Sequence, residues 1–108
     1  MKTGDIILIR FPFTDLSSNK LRPCTVITTT PDHYGDIIVA AISSQVSPNL
    51  SKHELLLDAS STNGLAVRSV LKVDKLFTLQ HSLYYKTLGH LDQYDLAQMI
   101  TIFKSLVD

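Results

Sequence analysis

A chain of 108 residues, 44% apolar and 19% charged, carries enough hydrophobic material for one modest core and lacks the composition of a disordered segment, so one domain spanning 1–108 is expected. Ten basic residues offset ten acidic ones, which excludes a global positive field and confines any polyanion site to a local patch. The lone cysteine, Cys24, excludes an internal disulfide and a cysteine-built metal site; with no signal-peptide core and no apolar run near the roughly 18 residues of a membrane span, a cytoplasmic protein is expected.

Residues 6–11 and 24–30 are rich in β-branched and aromatic side chains and read as strands. Between them, the pivot Phe11-Pro12-Phe13 leads into a polar loop, residues 14–21. The pivot either anchors the base of that loop or offers an aromatic platform to an unstacked base. The loop ends in Arg22-Pro23. Proline disfavours the helical basin for the residue before it, so Arg22 is launched from the start of the second strand in a defined direction. Its planar, permanently charged fork suits a phosphodiester, although a solvated arginine on an ordinary hairpin has the same sequence.

Pro31, Asp32 and Gly35 supply the next turn. Residues 37–42, IIVAAI, are apolar throughout, which fits a strand covered on both faces or a short buried helix. There follow the polar loop SSQVSPNLSK, the run HELLL, DASSTNG as a turn or short helix, a long apolar-rich run over 69–79 and a short strand over 87–91. The period then changes: Leu96, Met99, Ile100, Phe103, Leu106 and Val107 fall on one face of an amphipathic helix. Asp92 stands in N-cap position and Asp95 in the first turn, at the positive end of the dipole. Strands closed by one helix predict a mainly β fold, a small, strongly bent antiparallel sheet or barrel with the helix plugging an end or side.

Within SVLKVD, alternation puts Val70, Lys72 and Asp74 on one face, with successive members roughly 6.5–7 Å apart. The lysine and carboxylate can act on one bound group or neutralise each other as a surface pair. Ser43 and Ser44, where the IIVAAI segment opens into a loop, can donate to phosphate oxygens or satisfy their own loop. No G-x-S-x-G elbow is present. The histidines, His33, His53, His81 and His90, lack metal-ligand spacing, and the acidic residues are dispersed, so neither a metal nor a cofactor is expected.

Taken together, GDIILIRFPFTDLSSNKLRPCTVI, IIVAAISSQ, NGLAVRSVLKVDKLFTL and LGHLDQYDLAQMI resemble, in order and over essentially the whole chain, the MazF/PemK-like toxin family of bacterial type II toxin–antitoxin systems, particularly its PemK-like branch. The resemblance implies a small SH3-like barrel with a C-terminal helix and a homodimer. It also implies a metal-independent, sequence-selective endoribonuclease acting on single-stranded RNA, and an antitoxin protein that covers the RNA groove. The family's catalytic positions fall on Arg22, Ser43, Lys72 and Asp74, and RNA contacts are expected of Lys20, Ser44 and Val70. Some relatives carry threonine at the position of Ser43 and arginine at that of Lys72, where a lysine gives up bidentate phosphate contact. The alternatives on the same architecture are a CcdB-type gyrase inhibitor that cuts nothing and a degenerate nucleic-acid-binding relative. Apolar residues on both faces of 6–11 and surplus apolar length around 76–84 are the physical motive for a homodimer.

Overall fold

Two periods divide the chain, two up to residue 90 and 3.6 beyond it. The computed structural model describes residues 1–10, 20–32 and 35–107. Six antiparallel strands, β1 (Asp5–Arg10), β2 (Leu21–Thr29), β3 (Ile37–Ser43), β4 (Glu54–Leu57), β5 (Ser69–Leu79) and β6 (Tyr84–His90), form one sheet of order β4-β5-β3-β2-β1-β6. A 3₁₀ turn, His81–Leu83, links β5 to β6, and the helix α1 (Gln93–Ser105) follows. This is the mainly β fold with a C-terminal helix that the sequence predicts. The pivot at Phe11–Phe13, most of the loop over 14–21 and His33 lie outside the described residues.

Alternation gives the sheet two buried faces. On one, Ile6, Ile27, Ala40, Ile42, Leu71 and Val73 join Leu57, Leu91 and Met99; on the other, Ile7, Ile9, Cys24, Val26, Ile37, Val39 and Leu79 pack together. The register keeps the sets apart: Ile6 opposes Thr25 and Thr25 opposes Ala40, while Ile7 opposes Cys24 and Cys24 opposes Ala41. β3 pairs with β5 and β2 at its edges and sends Ala40 and Ile42 to one cluster and Ile37 and Val39 to the other, which is why IIVAAI has no polar member and is a strand. Each buried isoleucine or leucine contributes about 1.5–3 kcal/mol against exposure. Ile6, Ile7 and Ile9 are all at most 1% exposed, so the two-sided apolar pattern of β1 is consumed inside this chain and no longer argues for a second copy.

The outer strands β4 and β6 do not pair, so the barrel-like shape is not closed by a ladder. A turn over residues 58–65 closes it instead. The His90 N–H donates to the Thr62 carbonyl at 3.0 Å, and the Leu91 N–H to that of Gly4 at 2.8 Å. Asn63, 4% exposed, organises this turn. Its Oδ1 accepts from the N–H groups of Ser60 and Leu65, both at 3.0 Å, and its Nδ2 donates to the Asp58 carbonyl at 2.7 Å. Gly64 follows at φ +70°, and the backbone of Leu88 fills the space a Cβ there would need; Gly89 faces the Thr62 carbonyl in the same way.

Asp92 caps α1, its Oδ1 accepting from the Asp95 N–H at 2.8 Å. Met99 is buried, and Leu96, Ile102 and Leu106 pack on the core beside it. The buried stripe is rotated from the one read in the sequence: Ile102 joins it, while Ile100, Phe103 and Val107 face outward. The segment is apolar on more than one side, and periodicity does not say which side meets the sheet.

Two outcomes test the closure and the cap. Gly89→Ala drives a methyl into the Thr62 carbonyl and is expected to lower stability by about 1–3 kcal/mol, read from the urea midpoint. The Asp95 carboxyl is raised by burial first, and then by Asp92 and Asp58. It ionises later in the folded than in the unfolded chain, so the penalty is absent below about pH 3.9 and grows as pH rises through the folded value. Asp95→Asn is therefore expected to gain stability relative to the parent as pH rises from acid to neutral, and to lose that gain in acid, read from urea midpoints at the two pH values.

Candidate functional site

The strand register decides which chemistry-bearing residues share a face. Cys24 opposes Ala41 and Ala41 opposes Lys72; one step further along, Ser43 opposes Val70, and Lys72 opposes Glu54 on β4. Arg22, two residues before Cys24, is therefore on the same face as Ser43 and Lys72. Cross-strand diagonals of this kind span about 7–8 Å, which separates Ser43 from Lys72 by roughly one phosphate group and its contacts.

A groove of about 660 Å³ runs along the mouth of the barrel. Lys20, Arg22, Ser43 and Ser44 all line it, opposite a wall formed by Gly64, Leu65, Ala66 and Val67. The proline after Arg22 sits in β2 and lets Ile9, on the facing strand, hold the arginine in extended register. Ser43 ends β3, and its Oγ accepts from the Gln45 N–H at 3.1 Å. That bond uses a lone pair and leaves the hydroxyl proton to donate, so satisfying the loop and donating to an anion are compatible. Among the described residues no carboxylate pairs with Lys20 or Arg22. Two cations and two hydroxyls lining one groove give this chain of zero net charge a local surplus of hydrogen-bond donors suited to an anion.

Lys72, Asp74 and Val70 are placed differently. Lys72 and Asp74 do not neutralise each other; each has a partner from the β4 side, which sequence reasoning missed. The Lys72 Nζ lies 3.1 Å from Glu54 Oε2, and the Asp74 Oδ2 lies 3.5 Å from His53 Nδ1. Glu54 is held below the usual carboxylate range by the Ser51 N–H, 2.8 Å from its Oε1, and then by Lys72. It keeps its charge, and hence the lysine, until the pH falls below that range. Neither Lys72 nor Asp74 lines the groove; Lys72 shares the face of Arg22 and Ser43 through its pairing with Ala41, whereas Asp74 lies in the stretch that follows, which has no partner in β3. Val70, expected among the RNA contacts, is 1% exposed, so its side chain offers no surface to a ligand. HELLL shows a His-Glu pair at the start of a strand, but only its antiparallel pairing with LKVD brings Glu54 to Lys72 and His53 to Asp74.

Arg22 also borders a second concavity, a hollow of about 180 Å³ that includes Cys24, Ala41, Lys75 and Phe77. Lys75 was not singled out from sequence because it sits in a bulge, where the register slips between Ala40 and Ala41 and strand alternation fails. Among the described residues no group of three or more His, Cys, Asp or Glu side chains is placed to hold a metal ion. Burial pushes the Cys24 thiol up to about 12. It is therefore neutral and unreactive: iodoacetamide at mildly alkaline pH is expected to modify the native protein on the order of a thousandfold more slowly than the guanidinium-unfolded chain, by mass spectrometry.

No helix of the described residues is long and apolar enough to cross a membrane. Comparison with curated protein sequences gave no match. Among solved structures, the chain is similar to a mycobacterial endoribonuclease in complex with its cognate antitoxin, with a TM-score of 0.74 at 10% identity, covering 99% of this chain and 94% of that one. It is also similar to the Mycobacterium tuberculosis toxin MazF-mt6, with a TM-score of 0.70 at 19% identity, covering 96% of each chain. At such identities these likenesses speak for the fold. The family model of PemK-like, MazF-like toxins of type II toxin–antitoxin systems matches residues 2–107, nearly the whole length, and the chain belongs to that family.

Proposed function

We propose that this chain is a single-domain cytoplasmic toxin that cleaves single-stranded RNA without a metal ion, by attack of a ribose 2′-hydroxyl on the adjacent phosphorus. The observation that carries the reading is Arg22 facing the same groove as Ser43, with no carboxylate among the described residues to neutralise it. Such a reaction needs a proton removed from the 2′-hydroxyl, stabilisation of a phosphorane-like transition state and protonation of the departing 5′-oxygen. Arg22 stabilises the phosphoryl charge and is a candidate proton donor to the 5′-oxygen. Ser43 orients a nonbridging oxygen through its free hydroxyl proton. In this reading the RNA extends beyond the groove to the β5 side, where Asp74, nearly half exposed and next to His53, serves as base or positions the 2′-hydroxyl, and Lys72 adds charge when a phosphate displaces Glu54 from it. Lys20 and Ser44 extend the contact along the RNA backbone. The products are a 2′,3′-cyclic phosphate and a 5′-hydroxyl end.

A mycobacterial neighbour described as an endoribonuclease bound to its antitoxin supports both the activity and an antitoxin partner for this chain, whose seat would be the same groove. A homodimer belongs to the same reading; its remaining physical support is the exposed Leu76 and Tyr85 and the outward Ile100 and Phe103 on α1.

Purified protein incubated with RNA in EDTA, with sequencing of 5′-hydroxyl ends, is expected to yield cuts at a restricted set of sequences. Arg22→Ala should slow cleavage by about 10²–10³-fold, the cost of one transition-state donor. Equal rates for this variant and wild type would defeat the assignment; RNA binding with no cleavage by wild type would favour the degenerate relative.

A further inference from the structure

The hollow beside Arg22 has a construction of its own. Its centre is the pair Cys24–Ala41, where two small side chains face each other across β2 and β3 and leave space above them. Pro23, Val39 and Phe77 add apolar surface around that pair. The β5 bulge brings Lys75 to the border that Arg22 occupies from β2, and both of these cations are exposed. Among the described residues no carboxylate pairs with Lys75. The charged groups bordering the hollow are thus two donors, and none of its lining side chains is a carboxylate or amide acceptor.

We infer that this hollow receives one nucleobase of the bound RNA and prefers a keto base, uracil or guanine. The inference rests on the endoribonuclease reading and assigns a subsite to the same interface. Size is one argument. An engineered apolar cavity of about 150 Å³ takes up benzene, so a hollow of about 180 Å³ that is open on one side admits one planar base, its second ring reaching toward solvent where it has one, rather than a row of peptide side chains. Continuity is the second: Arg22 borders both the hollow and the groove that holds Ser43, so an apolar ring site adjoins an anion site, which is the repeat of a nucleotide. The third is the chemistry of the edge. Guanidinium and ammonium groups donate to O4 of uracil and O6 of guanine, the positions at which cytosine and adenine carry the amino groups N4 and N6 and would present donors to donors.

The test is an NMR titration of the Ala41 and Val39 methyl signals with the four nucleoside 5′-monophosphates, run beside the RNA-end sequencing above. Uridine and guanosine monophosphates are expected to move these signals, and the cytidine and adenosine compounds to bind about tenfold or more weakly. Ala41→Leu fills the hollow and should abolish the response. Lys75→Gln, at an exposed position that does not threaten the fold, should level the preference among bases. In the cleavage data, a U or G preference at one position beside the cut should weaken in both variants. Keto-selective binding by a protein that cleaves no RNA would support the subsite and remove the endoribonuclease reading. Cleavage of RNA with equal response of the methyl signals to all four nucleotides, or with none, would overturn the subsite alone. Movement of the signals by an acidic leucine-containing peptide, where no nucleotide moves them, would also overturn it and make the hollow a protein anchor.

Discussion

Everything in this molecule that bears on function hangs from the register between β2 and β3. Cys24 against Ala41 sends Val26 and Val39 to one apolar cluster and Thr25 and Ala40 to the opposite face, with Ile27 and Ile42 beside them. Because both faces are buried, a slip by one residue would exchange two complete sets of core side chains. The same register sets Arg22 and Ser43 on a common face. Their proximity is thus enforced by the burial of residues that never meet a ligand.

Charge is distributed by the same logic. With ten basic and ten acidic residues the chain has no long-range field to draw in a polyanion, so discrimination depends on which cations are already engaged. Lys72 has Glu54, and Asp74 has His53. Lys20, Arg22 and Lys75 have no carboxylate partner among the described residues, and they border two adjoining concavities. The charged groups beside β4 thus have partners, whereas those on the β2 side have no carboxylate partner among the described residues.

Much of this was legible in the sequence because it is written in local periods. The strands, the helix and the Asp92 cap follow from alternation, a 3.6 repeat and one side chain in the right place, and Arg22-Pro23 announces its own extended geometry. What was not legible depends on which strand lies beside which. HELLL does not reveal that Glu54 will meet Lys72, and Val70 looks like a companion of Lys72 until the packing puts its side chain inside. Lys75 escaped notice because a bulge breaks the rule that assigns residues to faces. On α1 the sequence shows apolar residues but not which side the sheet will cover, so Ile100 was read as inward and Ile102 was not read at all.

The turn that substitutes for a β4–β6 ladder gives the barrel a seam. A ladder is held along its whole length, whereas this junction rests on a few backbone hydrogen bonds and one buried asparagine. Residues 64–67, which continue from the turn, are the wall that faces Ser43 and Arg22. The turn therefore ties the groove to the core: Leu65, one of the wall residues, also belongs to the buried cluster beneath it, so a substitution that moves the wall acts on the packing as well.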